Sequence, residues 1–332
     1  MVSLCFIEAN LDPTIQIGAM LKEINGNYRV GNSDYFILEA CEYVESFLKF
    51  SPKSAIVLNI DHDHVDYFES FEHINHAFQK YVDILPRDGL LVVNADDYNC
   101  LALRDHTVAK TITFGIKNPK ANFVATNITF DANGFSRFDV YHNNNYYAEI
   151  KLSIVGIHNV LNSLSCIALC HEHGISKHDI KSALFKFTGA NRRFELIGST
   201  RGFCVYDDYA HHPIEITATA MALKNKVHRQ SWAIFQPHTY SRTSELLDDF
   251  ANSLTGFDNI IITDIYAARE TNTYNISSEH LVDKVRSLGK NCVMIADFDD
   301  ICKYIKERAC PNDIVLTIGA GTIGDLGKKL ID

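Results

Sequence analysis

A chain of 332 residues, 46% hydrophobic and 22% charged, has the composition of an ordinary folded protein and exceeds the usual size of one domain, so two are expected. Its formal charge of -10 argues against general nucleic-acid binding, which rests on clustered Lys and Arg; a nucleotide needs only a few cations and backbone amides. No run approaches the ~20 apolar residues of a membrane span, and nine scattered cysteines without a CxxC pair read as reduced thiols of a cytosolic protein.

The first nine residues contain an apolar run but lack a basic flank and a clear cleavage site, so they are not read as a signal peptide. Strand-like runs follow at 35–40 and 55–60, each leading into polar residues, and a helix is expected over 71–85. Residues 121–154 alternate apolar and polar around 131–134 and 143–145, the pattern of antiparallel hairpins inserted into or appended to a first sheet. A helix over 160–173 precedes a plausible boundary near Gly189–Arg193. A fresh series then begins, with strands at 203–206, 232–235, 260–263, 292–295 and 314–318 and a helix over 213–223. Alternating strands and helices predict parallel α/β architecture, in which ligands gather at the carboxyl ends of strands.

Polar clusters fall at those ends. Asn59-Ile60-Asp61-His62-Asp63-His64-Val65-Asp66 joins imidazoles to carboxylates, a donor set for a divalent cation or a solvated turn. His62-x-His64-x-Asp66 also mimics the start of a zinc-hydrolase motif, but Tyr67 stands where a further His is wanted. Glu39 reaches the same cation as His64 if their two strands are neighbours. In Gly156-Ile157-His158-Asn159-Val160-Leu161-Asn162 the amides suit a base edge, or Asn159 caps a helix. Arg192-Arg193 suits phosphate oxygens or is a solvated linker pair. Asp207-Asp208-Tyr209-Ala210-His211-His212-Pro213 and Gln236-Pro237-His238-Thr239-Tyr240-Ser241-Arg242-Thr243 each follow a strand; Pro213 suits a first helical turn and Arg242 a carboxylate. Gly319-Ala320-Gly321-Thr322-Ile323-Gly324 matches a dinucleotide turn with no following strand, so it reads as a tight turn whose amides face an anion and not as a nicotinamide site. Cys166, Cys170, His171 and His173 are near enough in sequence for a metal, but on a helix-like pattern they read as packed small residues.

In this order the motifs, with Glu39-Ala40-Cys41-Glu42 and Gly189-x-x-Arg192-Arg193-Phe194-Glu195, resemble the Mur ligase family nearly end to end. The likeness is strongest to the branch that joins L-alanine to UDP-N-acetylmuramate with ATP through an acyl phosphate. The resemblance implies α/β folds throughout: a central parallel-sheet ATPase domain over 1–190 and a Rossmann-like domain over 194–332. It also implies a UDP-binding domain and a phosphate loop with a Gly-Lys-Thr core that have no counterpart here. The chain is thus expected to be truncated just after that loop, inside the helix whose remainder is 1–10, and inactive by itself. Carried over by position, Glu39 and His64 resemble Mg²⁺ ligands, with His64 and Arg193 serving phosphoryl transfer. Asn159, Asn162, Arg193, Asp208 and Tyr209 match ATP-contacting positions, and His211, His238 and Arg242 those that handle the amino acid, with His211 the candidate base. Thr239 stands where some relatives have a second Arg. Gln79 stands beside Lys80 at the place of a carbamylated Lys in other members, so no carbamate is expected. Two rival readings remain, a cell-wall recycling ligase that attaches a tripeptide and a non-catalytic nucleotide-binding remnant.

Overall fold

Runs of four or five consecutive buried residues, such as Leu90–Asn94 and Ile314–Ile318, mark strands covered on both faces, and these form the centre of the molecule. The computed structural model describes all residues of 1–332 except Asp63, Val65 and Asp66. The chain divides into two compact units, one of residues 1–131 and 135–188, the other of 132–134 and 189–332.

The first unit opens with α1 (Val2–Glu8), followed by β1 (Thr14–Leu21), β2 (Gly26–Arg29) and β3 (Phe36–Leu38). These strands make a small sheet of order β2-β1-β3, with β1 antiparallel to β2 and parallel to β3. The elements that follow are β4 (Ser54–Val57), α2 (Phe71–Asp83), β5 (Leu90–Asn94), α3 (Tyr98–Ala102), β6 (Lys110–Gly115), β7 (Phe123–Phe130), β8 (Phe135–His142), β9 (Asn145–Val155), α4 (Ile157–Glu172) and α5 (Lys177–Lys186). Strands β4 to β9 form a second sheet in sequence order, parallel as far as β7 and antiparallel beyond. The alternating segment is therefore appended at the sheet's edge rather than inserted into it. The strand expected over 35–40 is only three residues long and pairs with β1, so it is not a neighbour of β4. Pairing is non-local: Ile15 opposite Ile37 is a choice that the 35–40 segment does not record.

Period-two alternation splits the core of this unit in two. Leu90 and Val92 face a cluster with Val160, Leu164 and Ile167 of α4 and Ile180 and Leu184 of α5. Leu91 and Val93 face Ile74, Ala77 and Val82 of α2. Ser70 caps α2 by accepting from the His73 amide, which fixes where the chain turns from the loop after β4 into that helix.

The second unit contains β10 (Glu195–Thr200), β11 (Phe203–Asp208), α6 (Pro213–Lys224), β12 (Ser231–Phe235), α7 (Tyr240–Glu245), α8 (Leu247–Leu254), β13 (Asn259–Ile262), α9 (Ser278–Ser287), β14 (Asn291–Met294), α10 (Phe298–Arg308), β15 (Ile314–Ile318) and α11 (Gly324–Ile331). The sheet order is β10-β11-β15-β12-β13-β14, parallel except for β10. Tyr206, Leu316, Phe235 and Ile260 pack with residues of α6, α8 and α9, while Val205, Val315, Ile234 and Ile261 pack with α10 and α11. Leu316 is fully buried, so Leu316→Ala costs about 2–5 kcal/mol as a cavity in the layer between sheet and helices.

Candidate functional site

In the second unit, β11, β15, β12 and β13 end in register: Asp208 and Phe235 both lie opposite Ile318, and Phe235 lies opposite Ile262. The polar loops that follow these strands consequently leave one edge of the sheet, where ligands of such folds collect. After β11 the chain enters α6 through a capping box: Nδ1 of His212 accepts from the Ile214 amide at 3.4 Å, and the Glu215 carboxylate accepts from the amides of His211 and His212 at 2.9 and 3.2 Å. Pro213, with no amide to leave unpaired, opens the helix. The cap orients His211, whose Nδ1 lies 3.0 Å from the Tyr209 carbonyl. A carbonyl only accepts, so in the neutral ring Nδ1 carries the proton and Nε2 the lone pair. Burial pushes the Glu215 carboxyl up, but the charge of His211, the His211 amide and Arg193 outweigh it and hold the group below its ordinary range.

His238 lies 6.0 Å from the His211 ring, tilts 25° against Tyr266 and places Nδ1 3.4 Å from an Arg242 guanidinium nitrogen. Guanidinium only donates, so His238 accepts at Nδ1. Burial, then the Arg242 cation and the neighbouring His211, pull its pKa down to about 4 against an opposing effect of Glu270. This imidazole is neutral at neutral pH. Thr239 holds the entrance to α7 in the left-handed region at φ 67, which a β-branched residue adopts only under constraint. The constraint is visible: its amide donates to the Tyr266 carbonyl at 2.9 Å, and the Tyr266 amide to the Pro237 carbonyl at 2.8 Å. Glu270 receives the Ser241 amide at 2.9 Å and also the Ser241 hydroxyl. Tyr266 and Glu270 were missed in the sequence because they sit several residues beyond β13, where the strand-end rule loses force.

Asp207 and Asp208 are both buried. Arg192 donates to Asp207 at 2.8 Å and to the Gly319 carbonyl at 2.7 Å, and the Thr317 hydroxyl donates to Asp207 at 2.6 Å. Asp208 accepts from the Ala210 amide, the Thr219 hydroxyl and the Phe194 amide at 2.9, 3.0 and 3.2 Å, and burial pushes its pKa up to about 6. Tyr209 carries the guanidinium groups of Arg192 and Arg193 at 4.8 and 5.7 Å from its ring centre, and Arg193 reaches Glu215 at 3.2 Å. In the glycine turn the Gly319 carbonyl faces the Arg192 cation, and the Ile323 amide donates to Gln236 at 3.1 Å. Side-chain atoms on Gly321 would meet Gln236 Oε1 at 2.4 Å, so the turn is packed, and Gly319 at φ 145 needs its missing Cβ.

In the first unit, Glu39 accepts from the Gly18 amide at 2.9 Å, while His64 pairs with Glu42 at 3.3 Å and tilts against Tyr43 at 4.7 Å. Carboxylate and imidazole suit a hard divalent ion that keeps much of its water. Among the described residues, Glu39 and His64 belong to no cluster of three such donors within reach of one ion. His62 spends Nε2 on the Phe68 carbonyl at 2.8 Å. Asp63, Val65 and Asp66, part of both the cation reading and the zinc-hydrolase reading, lie outside the described residues. Gly156, not Asn159, is the cap of α4, at φ 97. Asn159 turns its amide to the Val155 carbonyl at 2.7 Å and accepts from Asn162 at 3.2 Å, which orients both carboxamides on the first turns of the helix. Gln79 lies near His76 at 3.4 Å, and Lys80 reaches Glu45 at 3.2 Å. No helix among the described residues is long and apolar enough to cross a membrane.

Residues 8–170 match the Mur ligase middle domain and residues 192–321 the Mur ligase glutamate ligase domain. The chain is 45% identical over 331 residues to the UDP-N-acetylmuramate–L-alanine ligase of Acetivibrio thermocellus, covering 100% of this chain and 71% of the relative. The crystal structure of a UDP-N-acetylmuramate–alanine ligase from Thermotoga maritima superposes with a TM-score of 0.83 at 28% identity, over 99% of this chain and 70% of that one. A murein peptide ligase from Psychrobacter arcticus shares the fold, with a TM-score of 0.68 at 23% identity over 99% of this chain and 73% of its own. On these matches over both units, the chain belongs to the Mur ligase family.

Proposed function

We propose that this chain provides the central and C-terminal parts of an ATP-dependent ligase that joins L-alanine to UDP-N-acetylmuramate. The observation that carries this reading is the meeting of His211, His238 and Arg242 at one sheet edge. Arg242 presents a planar fork suited to the alanine carboxylate. His211, with its Nε2 lone pair, takes a proton from the alanine ammonium, and neutral His238 adds no charge of its own beside that cation. The freed amine attacks the acyl phosphate made from the muramyl carboxylate and ATP; the C–N bond forms as phosphate leaves. Asn159 and Asn162 are the first unit's candidates for the adenine and Arg193 and Tyr209 the second unit's candidates for phosphate, while Asp208, buried and held by Phe194, Ala210 and Thr219, fixes the segment that carries Tyr209. Glu39 and His64 would hold Mg²⁺, which offsets phosphate charge when bound.

The test joins the chain to the phosphate-loop-bearing segment of a relative and follows phosphate release with UDP-N-acetylmuramate and either L-alanine or a tripeptide. The reading expects turnover with alanine and little with tripeptide. Better turnover with tripeptide assigns the chain to the recycling reaction, and nucleotide binding without turnover of either assigns it a non-catalytic role.

A further inference from the structure

Away from the strand ends, three thiols meet in the core of the first unit. Cys5 lies on α1, and Cys166 and Cys170 lie one turn apart on α4. Their sulfurs are 3.5 Å apart from Cys5 to Cys166 and 3.9 Å from Cys166 to Cys170, and all three lie within 4.8 Å of one another. None is more than 1% exposed. The histidines next to Cys170 take no part: His171 packs on His142, and His173 meets the Ser54 hydroxyl at 3.1 Å.

A second observation concerns Tyr147, which is 6% exposed and whose hydroxyl has no hydrogen-bond partner. It packs in the same apolar cluster as the three cysteines. A buried hydroxyl without a partner is costly and uncommon, which points to a group the thiol form does not supply. Zinc-to-thiolate bonds are about 2.3 Å, so three sulfurs around one ion stand about 3.8–4.0 Å apart; the Cys166–Cys170 spacing of 3.9 Å falls in that range and the Cys5–Cys166 spacing of 3.5 Å is a few tenths shorter.

We propose that Cys5, Cys166 and Cys170 form a buried three-thiolate site for a soft divalent cation of the zinc class. Loading exchanges three thiol protons for one dication: three S–H bonds break, three metal–sulfur bonds form, three protons leave, and nothing is oxidised. Thiolates select such an ion over Mg²⁺, which keeps this site distinct from the oxygen-rich strand ends. Because the sulfurs are sealed from solvent, the ion enters as the unit folds.

The experiment refolds the whole chain from urea under a non-thiol reductant with cadmium as the probe, removes free metal by gel filtration, and measures cadmium content and the sulfur-to-cadmium charge-transfer band. One ion per chain is expected, with a cadmium NMR shift typical of three sulfurs. Cys5→Ser, Cys166→Ser and Cys170→Ser should each lower affinity at least tenfold, while Cys292→Ser, a buried cysteine of the other unit, should keep full content. The NMR shift of the unaltered chain stands even where a serine variant does not fold. Refolded chain without cadmium, or cadmium lost on replacing the exposed Cys41 and Cys310, overturns the proposal.

Discussion

The polar strand ends of the two units are built differently. In the second unit, four neighbouring strands stop in register, and Arg192, Asp207, Gln236 and Gly319 tie their loops to one another. In the first, the loop after β3 and the loop after β4 leave different sheets, and Glu39 and His64 keep separate partners. The contrast teaches that a strand-end cluster becomes a fixed constellation when its strands are adjacent in one sheet. Residues of similar chemistry on separate sheets depend on whatever else brings them together.

The largest effect should come from cutting the ties of the second unit. Arg192→Ala leaves the buried Asp207 carboxylate without its cation and is expected to destabilise that unit by about 3 kcal/mol in urea unfolding. A loss below about 1 kcal/mol would break the comparison, since the loops would then be held without Arg192.

Asp208 gives a pH-dependent version of the same test. Its folded pKa is raised from 3.8 to about 6, so the stability it contributes is fully present below the unfolded value and is lost as pH rises through about 6. The stability of the unaltered chain relative to Asp208→Asn should therefore fall by about 3 kcal/mol between pH 3.5 and 7. A difference that is flat with pH means that folding does not raise the Asp208 pKa above its unfolded value.

A smaller effect is expected where the constellation meets substrate. In the chain joined to a phosphate-loop segment, Arg242→Lys should raise KM for alanine about tenfold, roughly 1.4 kcal/mol, because a point charge replaces a planar fork. KM for ATP should stay within about twofold; equal damage to both constants would assign Arg242 a structural role. Smallest of all should be the stability change in Glu39→Ala and His64→Ala, within about 0.5 kcal/mol, since neither side chain is buried. The same variants should need markedly more Mg²⁺ for turnover. A large fall in melting temperature with unchanged Mg²⁺ dependence would instead give the first unit the interlocked character of the second.

The sequence by itself determined what is local. Five-residue apolar runs set strands such as β15 at Ile314–Ile318, as expected, and the turn residues around 131–134 and 143–145 set the hairpins of β7, β8 and β9. Pro213 at the head of α6 was legible too, because its missing amide has one natural place in a helix. His211, His238 and Arg242 stood out because polar residues directly after an apolar run are conspicuous. Only the tertiary structure decided which of these runs lie side by side. It moved β3 out of the main sheet, assigned Arg192 to the glycine turn, brought Glu270 to Ser241, and set Cys5 of α1 against Cys166 of α4, 161 residues away. The physical reason is the same in each case. Periodicity and turn chemistry act over a few residues, whereas strand pairing, buried charge and sulfur contacts are fixed by partners distant in the chain, and their energies appear only once both partners are in place.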